Sequence, residues 1–67
     1  MNFIVNGEQI KAEAKTVGAL LDERGIDRAK KGIAIAVNGI VAPRGRWDDT
    51  ILAEGDRVEI VRPFSGG

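Results

Sequence analysis

The chain has 67 residues, 10 Lys+Arg against 10 Asp+Glu, and no His, Cys or Tyr. That length predicts one domain near the lower limit for an unaided core. Without Cys there is no disulfide framework, thiolate metal site or thiol redox chemistry, and without His the commonest general base is missing as well. The composition therefore points away from an enzyme working through its own side chains, and a net charge of zero points away from a nucleic-acid binder.

Phe3-Ile4-Val5 is a β-rich run that stops at Asn6-Gly7, a pair suited to a type I′ turn because both central residues need positive φ. Residues 8–14 then alternate apolar and polar, so residues 2–13 are predicted to form a β-hairpin. Val17, Leu20 and Leu21 fall on one stripe of a helix, with Thr16 placed as N-cap and Gly25 as the left-handed residue past its end, backed by Ile26. A helix over residues 17–24 is only two turns long and must lie on a sheet to persist. Residues 27–32 read as a loop. Ile33-Ala34-Ile35-Ala36-Val37 follows as a strand, with Ile33, Ile35 and Val37 toward the helix and Ala34 and Ala36 away from it. Asn38-Gly39 repeats the turn signal before a short Ile40-Val41 strand stopped by Pro43. Residues 43–50 read as an irregular loop with the sole tryptophan, Trp47, as a lid over one end of the core. Glu54-Gly55-Asp56 reads as a turn and residues 57–62 as the last strand, ended by Pro63.

The predicted order is ββαβββ, an α+β arrangement of one mixed sheet covered on one face by one helix. The first and last strands are apolar enough to be central neighbours. The predicted core is Phe3, Val5, Ile10, Val17, Leu20, Leu21, Ile35, Val37, Ile51, Val58 and Ile60. No apolar run approaches the roughly 20 residues that span a bilayer. The opening residues lack the basic and apolar regions of a signal peptide, so the expected location is cytoplasmic, away from membranes.

The last four residues, Phe64-Ser65-Gly66-Gly67, read as a flexible tail. Terminal glycines are also what a fraying chain end tolerates. Glycine lacks a Cβ, however, so Gly66 and Gly67 would make a bare thread able to enter another protein closely. Residues 63–67 would reach roughly 16 Å when extended. The carboxylate of Gly67 would be ionised at neutral pH and able to attack an activated phosphate, chemistry that needs no side chain.

In this order the segments resemble a known family. Gly32-Ile33-Ala34-Ile35-Ala36-Val37-Asn38-Gly39, Val41-Ala42-Pro43-Arg44, Trp47, Glu54-Gly55-Asp56-Arg57-Val58-Glu59-Ile60 and the closing Gly66-Gly67 resemble the ThiS sulfur carriers of thiamine biosynthesis, within the ubiquitin-like β-grasp fold. Val5-Asn6-Gly7-Glu8, Thr16-Val17 and Leu20-Leu21 match that family's first hairpin and helix. The resemblance implies a β-grasp domain over residues 1–63 and a tail over 64–67. It further implies a carrier that is a cosubstrate rather than an enzyme. An E1-like (ThiF-like) partner would adenylate the carboxylate of Gly67 using ATP and magnesium, neither bound by this chain. A sulfur donor enzyme would then supply cysteine-derived sulfur to give a thiocarboxylate, and a thiazole synthase (ThiG-like) would accept the sulfur. Pro63-Phe64-Ser65, just before the glycines, is a stretch that varies among such carriers. Molybdopterin-type (MoaD-like) carriers also end in Gly-Gly, and a ubiquitin-like protein modifier would begin with the same tail chemistry. A non-covalent β-grasp binding module is a further reading, in which the glycines are incidental.

Ile4, Ala36 and Val61 are predicted on the sheet face turned away from the helix, and with Phe64 they would form a partner-docking surface, which Ala34 and Ala36 keep flat. Ubiquitin-like proteins dock on E1-like enzymes through this face. Arg44, Arg46, Arg57 and Arg62 read as solvated surface, with steering toward an acidic partner as the alternative. Asp48-Asp49 and Glu54…Asp56 read as turn and cap residues rather than metal ligands, since no ligand-rich loop spacing is present.

Overall fold

The computed structural model describes residues 1–63. Its elements are β1 (Asn2–Val5), β2 (Glu8–Lys11), α1 (Val17–Glu23), β3 (Ala34–Val37), β4 (Ile40–Ala42), a 3₁₀ helix (Arg44–Asp49) and β5 (Arg57–Val61). The sheet order is β2-β1-β5-β3-β4. β5 runs parallel to β1 and antiparallel to β3, and the two hairpins flank it. The expected mixed sheet with one helix on one face, the β-grasp arrangement, is what the chain adopts. No helix among the described residues is long and apolar enough to cross a membrane.

Both Asn-Gly pairs form the turns their sequence demands. Asn6 and Gly7 have φ of 51° and 81°, and Asn38 and Gly39 have 51° and 83°. Positive φ at both central positions matches the turn twist to the strand twist. The asparagine side chains do more than accept that backbone. Asn6 Nδ2 donates to the carbonyl of Ile60 at 3.1 Å, and its Oδ1 accepts from the Ile60 N–H at 2.7 Å. Asn38 Oδ1 accepts from the Arg57 N–H at 2.9 Å, while its Nδ2 donates to Asp56 Oδ1 at 3.0 Å. The central strand is thus gripped from both sides by the turns of its neighbours.

The helix begins and ends as its sequence signals. Thr16 Oγ1 accepts from the Ala19 N–H, the N-cap bond. At the other end Gly25 takes φ 72°, its N–H donates to the Asp22 carbonyl, and the Ile26 N–H donates to the Leu21 carbonyl. These two bonds are the Schellman pattern, and they satisfy carbonyls that a helix end leaves free.

The core lies between α1 and the inner sheet face. It joins Phe3 and Val5 of β1, Val17, Leu20 and Leu21 of α1, Ile35 of β3, and Val58 and Ile60 of β5. Ile10 and Val37 are only partly buried against it, since each lies near a sheet margin. Ile51 corrects the expected core: it is 72% exposed, and Leu52 takes the inward position at 3%. After the 3₁₀ helix the chain runs extended beside residues 15–17, with Val17 N–H donating to Thr50 and Leu52 N–H donating to Lys15. Thr16 and Ile51 face each other across this short pairing. Alternation along an extended chain then sends Leu52 in and Ile51 out.

The expected irregular loop over 43–50 is a second correction. Pro43, at φ −60° and ψ 146°, leads into one 3₁₀ segment. An Arg46-to-Pro43 backbone bond, the i to i+3 pattern of that helix, begins it. Trp47 explains why the segment winds: it is buried, as the lid reading required, and its indole N–H donates to the Ala42 carbonyl at 2.8 Å. Ala42 itself extends β4 one residue beyond the expected Ile40-Val41, and β3 starts at Ala34 rather than Ile33.

A candidate docking face leading to the chain end

Strand parity divides β5 into an inner row, Val58 and Ile60, and an outer row, Arg57, Glu59 and Val61. The registers then place every outer neighbour. Val61 lies beside Ala34, Glu59 beside Ala36, and Arg57 beside Ile4. On the far side of β3, Ala36 faces Val41.

The three expected surface residues therefore share the outer face but not one apolar patch. Val61 is 60% exposed and joins a strip with Ala34, half-buried Ala36 and Val41, itself 70% exposed. Half-buried Ile4 sits on the opposite side of β5, and the charged pair Arg57 and Glu59 intervenes. Small Ala34 and Ala36 keep the strip low. Val41 is the residue that sequence reasoning missed. Its signal was available, because a two-residue turn at Asn38-Gly39 pairs Val37 with Ile40 and hence Ala36 with Val41.

The strip runs along β5 toward Pro63. There the pyrrolidine ring packs on Gly32, where a Cβ would come within 3.2 Å of Pro63 Cγ. Gly32 also holds φ 86°, so the position favours glycine on both counts. This contact fixes Pro63, the last described residue, at the end of the outer strip. Phe64, Ser65, Gly66 and Gly67, the expected carrier tail, lie outside the described residues.

Arg44, Asp48, Glu54 and Asp56 are occupied locally. The Arg44 guanidinium donates to the carbonyls of Arg28 and Lys30 and stacks over Trp47 at 4.6 Å from the ring centroid. It ties the loop before β3 to the 3₁₀ helix, while Arg57 stands on the outer face and Arg62 just past β5. The four arginines do not form one patch. Asp48 and Asp22 pair with Arg28, Asp48 at 2.7 Å, and the hydrogen bond that Arg28 donates to Asp48 leads in holding that guanidinium more firmly protonated than usual. Glu54 accepts from the Asn2 N–H through both oxygens, which holds its carboxyl below the usual carboxylate range. Asp56 accepts from the Ala53 N–H at 2.8 Å and from Asn38. Among the described residues no group of three or more His, Cys, Asp or Glu is arranged to hold a metal ion.

Comparison with known proteins adds the family context. The ThiS family model matches residues 2–67. The Sulfur carrier protein ThiS of Escherichia coli is 29% identical over 68 residues, covering all of both chains. A Thiazole synthase of Paramagnetospirillum magneticum is 35% identical over 68 residues, and there the chain spans only 20% of the relative's length. Among solved structures, the crystal structure of a thiamine biosynthesis protein (ThiS) from Geobacter metallireducens matches with a TM-score of 0.80 and 30% identity over the whole of both chains.

Proposed function

The chain belongs to the ThiS family, and on that premise we propose that it is a sulfur carrier of thiamine biosynthesis, working in the cytoplasm as a cosubstrate rather than an enzyme. The supporting observation is the family match over residues 2–67, at full coverage of a curated sulfur carrier. In this reading an oxygen of the Gly67 carboxylate attacks the α-phosphorus of ATP on an E1-like enzyme, with magnesium, and pyrophosphate leaves. A sulfide-equivalent nucleophile from a cysteine-derived donor then attacks the acyl carbon and AMP leaves, giving a thiocarboxylate. A thiazole synthase takes the sulfur from it. The outer strip of Ala34, Ala36, Val41 and Val61 would seat the domain on the activating enzyme, directing the residues after Pro63 toward that enzyme's nucleotide. A thiocarboxylate is a better nucleophile than a carboxylate at neutral pH, and that property is what this chain would contribute.

The test is reconstitution with an E1-like adenylating enzyme of the thiamine pathway, ATP, magnesium and a cysteine-fed sulfur donor, read by intact mass. One oxygen replaced by sulfur at the chain end is the expected product. Deleting Gly67 should abolish it and leave the circular dichroism unchanged. Activation of the truncated chain to the same extent, or higher-mass conjugates in place of the thiocarboxylate, would defeat the proposal.

A further inference from the structure

The two edges of the sheet differ sharply. β2 carries Glu8, Gln9 and Lys11, the usual protection against pairing with another chain. β4 is Ile40-Val41-Ala42, without a charge. Ile40 and Val41 are 73% and 70% exposed, and Ile51 beside them is 72% exposed. Together with Ala42, Pro43, Arg46 and Asp56 they line an open groove of about 560 Å³ along this edge.

The backbone of β4 is also unfinished in a definite phase. A two-residue turn is closed by a hydrogen-bonded pair, here Val37 and Ile40, and such pairs alternate with non-bonded ones. Val41 opposite Ala36 is therefore a non-bonded position, and its N–H and C=O point out of the sheet. A single residue offering both groups is the element that an antiparallel two-fold requires, because it can exchange both bonds with its own copy.

The side chains fit the same symmetry. With Val41 on the axis, Ile40 falls opposite Ala42 of the second copy, large against small, with Pro43 and Ile51 beside it. The charges are complementary as well. Asp56 lies at the Asn38 end of the groove and Arg46 beyond its Pro43 end, and antiparallel pairing brings each end of one copy to the opposite end of the other. Neither Arg46 nor Asp56 has an ion-pair partner among the described residues. We propose that β4 is a self-association edge: two copies of this chain pair through Val41, bury Ile40 and Ile51, and close two Arg46–Asp56 ion pairs.

Sedimentation equilibrium from micromolar to millimolar chain, with amide exchange read residue by residue, tests this. The sedimenting mass should rise from one chain toward two. The Val41 N–H should exchange about tenfold more slowly once nine-tenths of the chains are paired. Arg46→Glu should hold the mass at one chain with unchanged thermal unfolding, and so should Val41→Pro, which removes only an outward-facing N–H. Should the proline variant not fold, Arg46→Glu and the wild-type exchange rates decide. The proposal fails if the mass stays at one chain throughout, if protection appears on the outer sheet face instead, or if Val41 is protected only when a thiazole synthase or an adenylating enzyme is added.

Discussion

Asn6-Gly7 and Asn38-Gly39 close the two hairpins with nearly the same backbone, φ 51° and 81° against 51° and 83°. What their side chains hold is different. Asn6 meets the N–H and C=O of one residue, Ile60, and so continues the β1–β5 ladder past the last backbone pair. Asn38 meets one backbone N–H, of Arg57, and one carboxylate, of Asp56. The first grip is neutral and partly buried; the second is exposed and charged. An Asn-Gly pair thus predicts a turn, but the partners of its amide depend on which strand the fold brings alongside.

Substitutions at the two turns should separate these roles. Asn6→Ala leaves the Ile60 N–H and C=O without partners, and it should cost about 2 kcal/mol in urea unfolding, the largest effect of the set. A loss no greater than that of an exposed surface residue would mean the Ile60 bonds are not formed in solution. Asn38→Asp replaces a donor with a carboxylate facing Asp56, and should cost about 1 kcal/mol or somewhat more at neutral pH. Repulsion raises a carboxyl pKa in the folded state, so this loss should shrink as pH falls through the raised value. Gly7→Ala and Gly39→Ala have open space around the added methyl and differ from wild type only in forcing alanine into positive φ. Each should cost about 1 kcal/mol, equally in the two turns, as compared by thermal unfolding.

The smallest effect belongs to the Glu54-Gly55 turn, which grips Asn2 rather than β5. Glu54 has a lowered carboxyl pKa when folded, chiefly through the Asn2 backbone N–H. Its contribution is therefore complete above the unfolded pKa and disappears as pH falls through the lower folded value. Glu54→Gln should flatten that part of the stability profile in acid and change little else.

Most of the fold could be read before any coordinates because its signals are local. Thr16, Gly25 and the two Asn-Gly pairs each act within a few residues, and period-two alternation placed Ile35, Val58 and Ile60 correctly. Ile51 was misassigned because its facing depends on pairing with Thr16, a contact made through the tertiary fold. The winding of residues 44–49 depends likewise on where the Trp47 indole finds an acceptor. On the outer sheet face, parity located Ile4, Ala36 and Val61, but only the strand order shows that Arg57 and Glu59 part Ile4 from the others. The amide grips of Asn6 and Asn38 had no sequence signal beyond the turn itself.

The place of β5 in the sheet bears on how fast the molecule forms. Each hairpin can zip from its own turn within microseconds, needing no distant residue. The centre of the sheet cannot, since Asn6 and Ile60 are 54 positions apart and a long loop must close before they meet. The rate-limiting event should then be insertion of β5 between two hairpins already made. Mutations at the hairpin tips, formed before that event, would then slow refolding, whereas those at Val58 and Ile60 would divide between slower refolding and faster unfolding.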